Sequence, residues 1–250
     1  MISKNLMKYV RALETKKGRK KEGAFVAEGP KVTADLMNVA TPIKLIATDD
    51  WFGEMHLPPH ESRVVVSEEE LKKISFLQHP QRVMGVFPLP DNHVEDADFK
   101  NKLYMALDGV QDPGNLGTII RIADWFGIES IFCSHETADA FNPKVVQATM
   151  GSIARVKIIY TELNDLMGNL PKGTPVYGTF LDGKNIYDEM LDGHGIIVMG
   201  NEGKGISDEL STRINRRLLI PNYPENRPTA DSLNVAVATA ITCAEFRRRA

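Results

Sequence analysis

The sequence predicts an α/β protein whose C-terminal part is a mostly parallel sheet covered on both faces, preceded by a smaller α/β domain. Three observations carry this. Short apolar, β-branched runs recur, among them "LYMALDGV", "IESIFCS", "VKIIY", "PVYGTF", "GIIVMG" and "RLLIPNY". Helical patterns separate several of them, and strands alternating with helices build parallel sheets. Three of the strand ends break into Gly-, Pro- and Asn-rich loops, where open α/β sheets hold their ligands.

Taken in order, Ile2–Leu13 carries a helical stripe of Ile2, Leu6, Tyr9, Val10 and Leu13, and "KKGRKKEG" then breaks it. "AFVAEGPKVTADLMNVA" opens as a strand and turns into a helix near Pro30. "IKLIATDD", "SRVVVS" and "QRVMGVFPLP" read as strands. Ser67 and Glu70 form a capping box that starts a helix in "SEEELKKISF". "PDNHVEDADFKN" is polar and acidic, with nothing to bury, so it reads as a linker at Asp91–Lys100 and divides the chain into domains 1–96 and 97–250. Beyond it, "LGTIIRIADWFG" and "NPKVVQATMGSIA" read as helices between strands. The last helix, "SLNVAVATAITCAEFRRR", has almost no polar face before Arg247, which predicts burial on every side, by insertion into the domain or by packing against a second subunit.

The bulk numbers exclude several classes. With 250 residues, 42% hydrophobic and 25% charged, the chain has an ordinary composition for two compact domains. No apolar run approaches the roughly 20 residues of a membrane span. The N-terminus is basic without an apolar core, which predicts a cytoplasmic protein rather than a secreted one. Cys133 and Cys243 lie far apart, and the six His show no ligand spacing, so no metal site is expected. Residues 1–31 carry nine Lys/Arg against three Glu, net +6 in a chain of net −3. This basic arm, with Lys17, Arg19, Lys20 and Lys21, is a candidate footprint for RNA. Its alternative is a solvated helix face and a flexible turn.

"GIIVMGNEGKGIS" ends a strand in a loop with Gly200, Gly203 and Gly205. A P-loop would need Ser or Thr after Lys204, where Gly205 stands. A dinucleotide loop would need Gly or Ala where Asp208 stands. The loop also carries Glu202, a poor neighbour for a polyanion. Two other strand ends share its style, "ALDGVQDPGNLGTIIR" and "LIPNYPENRPTADSLN". Together the three supply Asn115, Arg121, Glu202, Ser232 and Asn234, along with much free main chain. Asn115 read alone could be a turn residue, and Ser232 or Asp231 a helix cap. Arg121 sits in an apolar-rich helix, so it is expected to be at least half-buried and to need a partner such as Glu202.

These three loops, with "NPKVVQATMGSIARV" as a weaker match, resemble the motifs of the SpoU/TrmH family of RNA 2′-O-ribose methyltransferases. "AFVAEGPKVTADLM" and "LKKISFLQHPQRVMGVF" resemble that family's substrate-binding domain, so the likeness spans nearly the whole chain. It implies a deep trefoil knot in the catalytic part, a homodimer, and S-adenosylmethionine as cofactor without metal. It also implies ribosomal or transfer RNA as substrate. By position it implies cofactor contacts at Gly200, Ile220 and Leu233, and a catalytic set of Arg121, Asn115, Glu202, Ser232 and Asn234. A non-catalytic RNA-binding protein on the same scaffold is the alternative. The chain departs from the family at "NYPENRPTAD", a longer loop without the usual Gly, where Tyr223 and Arg227 are suited to stack on a base and hold a phosphate.

Overall fold

The computed structural model describes residues 2–56, 60–224 and 230–248. Its contacts group the chain into two compact units, Met1–Asp91 with Asp139–Ala154, and Asn92–Ala138 with Arg155–Ala250.

The first unit opens with α1 (Lys4–Ala12), capped by the Ser3 hydroxyl, which accepts from the Leu6 N–H. The basic stretch that follows is not a break but a second helix, α2 (Lys16–Glu22). Thr15 caps it by accepting from the Gly18 N–H at 3.0 Å, and Gly23 ends it at φ 61°. Gly18 is fixed by crowding, since a Cβ there would lie 1.8 Å from the Ala12 carbonyl oxygen. Arg19, expected to face RNA, is a structural residue instead. Its Nη1 donates to the carbonyls of Leu13 and Glu14 at 2.7 and 2.8 Å, and its Nη2 to Asp139 at 2.6 Å. The side chain is 3% exposed, and a guanidinium that deep needs every partner it can reach.

Next come β1 (Ala24–Glu28), α3 (Pro30–Met37), β2 (Lys44–Ala47), α4 (Asp49–Glu54), β3 (Arg63–Val65), α5 (Glu68–Ile74) and β4 (Val83–Pro88). The strands form one sheet in the order β1-β4-β2-β3, with β4 antiparallel to both neighbours. The capping box at Ser67 and Glu70 forms as expected. One core gathers Val10, Leu13, Val26, Ile46, Leu71 and Met84, and a second gathers Leu45, Trp51, Phe52 and Val83.

The second unit starts within the acidic stretch, which does bury side chains. Val94, Ala97 and Phe99 pack on the core, and the Phe99 ring lies 5.2 Å from Tyr104 and 5.7 Å from Phe132. Then follow β5 (Leu103–Asp108), α6 (Pro113–Trp125) and β6 (Ser130–Cys133). The next helix, α7 (Pro143–Ala148), belongs to the first unit, where Phe141 packs 4.9 Å from Phe25. It is shorter than the sequence pattern suggests, because Met150 at φ 52° and Gly151 at φ 99° turn the chain.

The remainder is β7 (Lys157–Tyr160), α8 (Leu163–Gly168), β8 (Val176–Asn185), β9 (Gly195–Gly200), α9 (Asp208–Ser211), β10 (Arg216–Leu219) and α10 (Val235–Arg248). The six strands of this unit run parallel in the order β10-β8-β9-β5-β6-β7. β5 and β9 are therefore central, and their unbroken apolar runs are what a sheet covered on both faces requires. Helices α6 and α10 lie side by side in the same direction. Asn234 meets Asn115 at their N-terminal ends, and Arg247 Nε donates to the Phe126 carbonyl at 2.7 Å at the other. α10 is not buried on every side. Val235, Ala236, Cys243 and Phe246 face inward, while Val237 and Ala244 are exposed, in line with the exposed Leu233 one turn before.

Candidate active site

Three loops leave the carboxyl ends of β5, β9 and β10, and hydrogen bonds tie them together. After β9 the chain closes on itself. Asn201 and Gly205 exchange two main-chain bonds of 2.9 Å, with Gly205 at φ 71°. The Asn201 side chain does two jobs: its Oδ1 accepts from Gly203 and Lys204 N–H, and its Nδ2 donates to the Gly109 carbonyl at 2.7 Å. Asp108, the last residue of β5, accepts from the Ser207 N–H at 2.8 Å. Neither Asn201 nor Asp108 stands out in the sequence as a site residue. The signal was a local one, an Asn inside a Gly-rich turn and an Asp at a strand end, both suited to binding nearby main chain.

Glu202 sits at the centre of the expected catalytic set. Its Oε1 accepts from Asn115 Nδ2 at 3.0 Å, and its two oxygens accept from the Asp112 and Gln111 N–H groups at 3.4 Å. Asn115 Oδ1 in turn accepts from Asn234 Nδ2 at 2.9 Å. Asn234 Oδ1 accepts from the Ala236 and Val237 N–H groups at 3.0 and 3.3 Å. Asn234, rather than Ser232 or Asp231, thus caps α10. Burial works to raise the Glu202 carboxyl, but hydrogen bonds from Asn115, its own N–H, Gln111 and Asp112 outweigh it. The group is held below the usual carboxylate range.

A cleft of about 500 Å³ opens beside this network. Gly200, Glu202, Ile220, Ser232 and Leu233 line it, which brings together all three expected cofactor contacts and two of the catalytic set. Phe180, Leu181, Met199 and Leu219 add apolar walls. The Arg217 guanidinium lies 3.5 Å over the Phe180 ring and steadies it. Gly200 is fixed by the loop it starts, because a Cβ there would lie 2.2 Å from the Gly205 carbonyl carbon.

Arg121 differs from expectation. It is exposed on α6 and does not pair with Glu202, which is already occupied by Asn115. The apolar residues around it, Leu116, Ile119, Ile120 and Ala123, turn inward on the other side of the helix. Six residues from Asn115, it projects about 120° away around the helix. Arg227 lies outside the described residues. Lys17, Lys20 and Lys21 are exposed on α2. Among the described residues, no group of three or more His, Cys, Asp or Glu could hold a metal ion, and no helix is long and apolar enough to cross a membrane.

Residues 102–244, more than half of the chain, match the model of the SpoU rRNA Methylase family, and residues 4–85 match that of an MRM3-like substrate binding domain. The chain is 32% identical to the 23S rRNA (guanosine(2553)-2′-O)-methyltransferase RlmP of Bacillus subtilis, over 94% of this chain and 93% of that protein. A solved TrmH-family structure from Porphyromonas gingivalis superposes with a TM-score of 0.90 at 41% identity, covering 100% of both chains. An AdoMet-bound rRNA methyltransferase from Sinorhizobium meliloti superposes with a TM-score of 0.88 at 32% identity, covering 100% of this chain and 96% of that one. The residues of the cleft fit such a cofactor. Apolar walls and free main chain suit an adenosyl group, and Glu202 and Asp231 set carboxylates beside a cationic ligand.

Proposed function

The chain belongs to the SpoU rRNA methylase family, and from that premise we propose that it methylates a ribose 2′-hydroxyl of ribosomal RNA. S-adenosylmethionine is the methyl donor and supplies an activated methyl group on a sulfonium sulfur. The observation that carries the reading is the Glu202–Asn115–Asn234 chain, which joins all three loops at the cleft wall. A ribose hydroxyl must be aligned within near-attack distance, and a rigid polar frame supplies that order in advance.

The residues divide the task. Glu202 has its oxygens occupied by N–H donors and a depressed pKa, so it orients Asn115 and the loop after β5 rather than taking a proton. Arg121 cannot act as a base, since a guanidinium keeps its proton. Exposed on the outer side of α6 and outside the cleft lining, it holds an RNA phosphate and so positions the ribose. Ser232 lines the cleft, and its hydroxyl orients the ribose. Asn234 fixes Asn115 and the start of α10 together. Gly200, Ile220 and Leu233 hold the cofactor mainly through main chain.

The first unit is the RNA-binding part, with the exposed lysines of α2 as its electrostatic footprint. The chain acts as a homodimer in the cytoplasm. The exposed apolar strip of Leu233, Val237 and Ala244 supports the dimer, as it is surface that a second copy would cover. Mass spectrometry of ribosomal and transfer RNA from cells lacking the chain tests the substrate. Loss of a single 2′-O-methyl mark in ribosomal RNA is expected, and loss from transfer RNA alone would refute the ribosomal reading.

A further inference from the structure

A second recess, of about 440 Å³, lies in the first unit between α5 and the loop that runs from Ser75 into β4. Glu68, Glu69 and Lys72 line it from α5, and Gln78, His79 and Gln81 from the loop. The loop is held at both ends. At its root the buried Glu28 carboxylate accepts from the Ser75 hydroxyl and from the Phe76 N–H at 2.8 Å, and Ser75 Oγ accepts from the Leu77 N–H at 3.0 Å. At its far end the Arg82 carbonyl accepts from the Thr48 N–H at 3.1 Å, and the Gln81 stem lies 3.6 Å from where a Cβ on Gly29 would stand. Between these anchors Gln78, His79 and Gln81 are exposed, and among the described residues their side chains have no hydrogen-bond partner. A loop fixed at its base that offers unspent donors and acceptors is prepared for a ligand.

We propose that this recess binds one unpaired guanine nucleotide of the RNA substrate. The inference rests on the RNA reading given above and adds an address site to it. Guanine alone presents two adjacent N–H donors, at N1 and N2, beside an acceptor at O6. A carboxylate of Glu68 or Glu69 takes both donors at once, and a carboxamide of Gln78 or Gln81 donates to O6. Adenine would turn its N1 lone pair toward the carboxylate, and cytosine and uracil lack the paired donors. Two carboxylates in the wall also argue against a site for phosphate alone. Lys72 is the cation left for the 5′-phosphate, because Arg82 is engaged with Glu54 at 2.6 Å. The His79 ring supplies a face for stacking.

The test uses the whole isotopically labelled chain, saturated with S-adenosylhomocysteine so that the cofactor cleft is filled. Titration with 5′-GMP should shift the amide signals of residues 68–72 and 78–82. GMP should bind about tenfold more tightly than 5′-AMP, the discrimination of one bidentate pair. The Glu68→Gln/Glu69→Gln double variant should lose that preference while binding S-adenosylhomocysteine as the wild type does. A variant that keeps its affinity for S-adenosylhomocysteine but also its preference for GMP would overturn the proposal. So would equal affinity for the two nucleotides, or no shifts in these segments at millimolar GMP. Failure of the wild type to bind S-adenosylhomocysteine would count against the methyltransferase reading instead.

Discussion

Asn234 donates to Asn115 at 2.9 Å across 119 residues of sequence, and so joins the N-terminal ends of two parallel helices, of which α10 lines the cleft. Asn115 passes the connection on to Glu202. Replacing it with Asp keeps the shape but removes the donor and sets two carboxylates together. In the wild type, the lowered pKa of Glu202 contributes stability that is complete above the usual carboxylate range and fades as pH falls through the lowered value. In Asn115→Asp the pair is raised instead, so the penalty is greatest at neutral pH and is relieved by protonation. The variant should lose methyl transfer and, because solvent screens the partly exposed pair, about 1 kcal/mol of stability at pH 7.5, with its melting curve approaching that of the wild type by pH 4.5. An equal offset at both pH values would show that Asn115 does not act through Glu202.

Two glycines of the same loop are fixed for different reasons. At Gly200 the obstacle is space, since a Cβ would meet both the Gly205 carbonyl carbon at 2.2 Å and the Ile206 nitrogen at 2.3 Å. At Gly205 there is open space but a φ of 71°. Gly200→Ala should break the loop and reduce S-adenosylhomocysteine binding below detection by calorimetry. Gly205→Ala should cost only the strain of a left-handed residue, about 1 kcal/mol, and still bind. Comparable binding by the two variants would show that the loop does not need its closed form.

Much of this was legible in the sequence. Apolar runs marked the strands of the parallel sheet, most clearly the central β5 and β9, because a strand covered on both faces is apolar along its length. The three site loops were legible for the same reason. What was hidden depended on long-range partners. Arg19 looks like one more cation of the arm until Asp139, distant in sequence, closes over it. Arg121 looks buried because its helix is apolar, but the apolar residues occupy the other side of the turn. Asn201 acts through its side chain on main chain that the sequence does not show to be near. Gly18 reads as a helix breaker, whereas it allows α2 to pass against Ala12.

Arg121 is exposed, and it is not among the residues that line the cleft. Arg121→Ala should therefore leave the affinity for S-adenosylhomocysteine unchanged, and should lower methyl transfer by weakening the placement of the RNA. Arg121→Lys keeps the charge but loses the planar fork, so it should recover only part of the rate. Full activity in the Ala variant would remove Arg121 from the site.

The strip of Leu233 and Val237, 50% and 49% exposed, is apolar surface on the last helix. A charge placed in its middle by Val237→Glu should convert a dimer to a monomer in light scattering at micromolar concentration, with the helix content unchanged. A wild-type chain that is already monomeric at that concentration would leave the strip with another role.

The basic arm divides into two kinds of cation, and they should fail in different ways. Lys17, Lys20 and Lys21 are exposed on α2, so their charge is available to a phosphate backbone. Changing all three to Glu should weaken RNA binding and flatten its salt dependence, since fewer counterions are released, and should leave the melting temperature nearly unchanged. Arg19 is 3% exposed and its partner Asp139 15% exposed, so the pair is shielded from solvent. Arg19→Ala would leave that carboxylate with only the Phe141 N–H and two carbonyls of the α1–α2 turn without Arg19 as donor, a loss of about 3 kcal/mol for a shielded pair broken on one side. The melting temperature should fall by many degrees, while the salt slope of RNA binding by the protein still folded stays as in the wild type. Arg19→Met, which fills the space without a charge, should be as unstable as Arg19→Ala, since the unpaired Asp139 and not the lost volume sets the cost. A salt slope that flattens in Arg19→Ala as it does in the triple lysine variant would return Arg19 to the RNA-facing set.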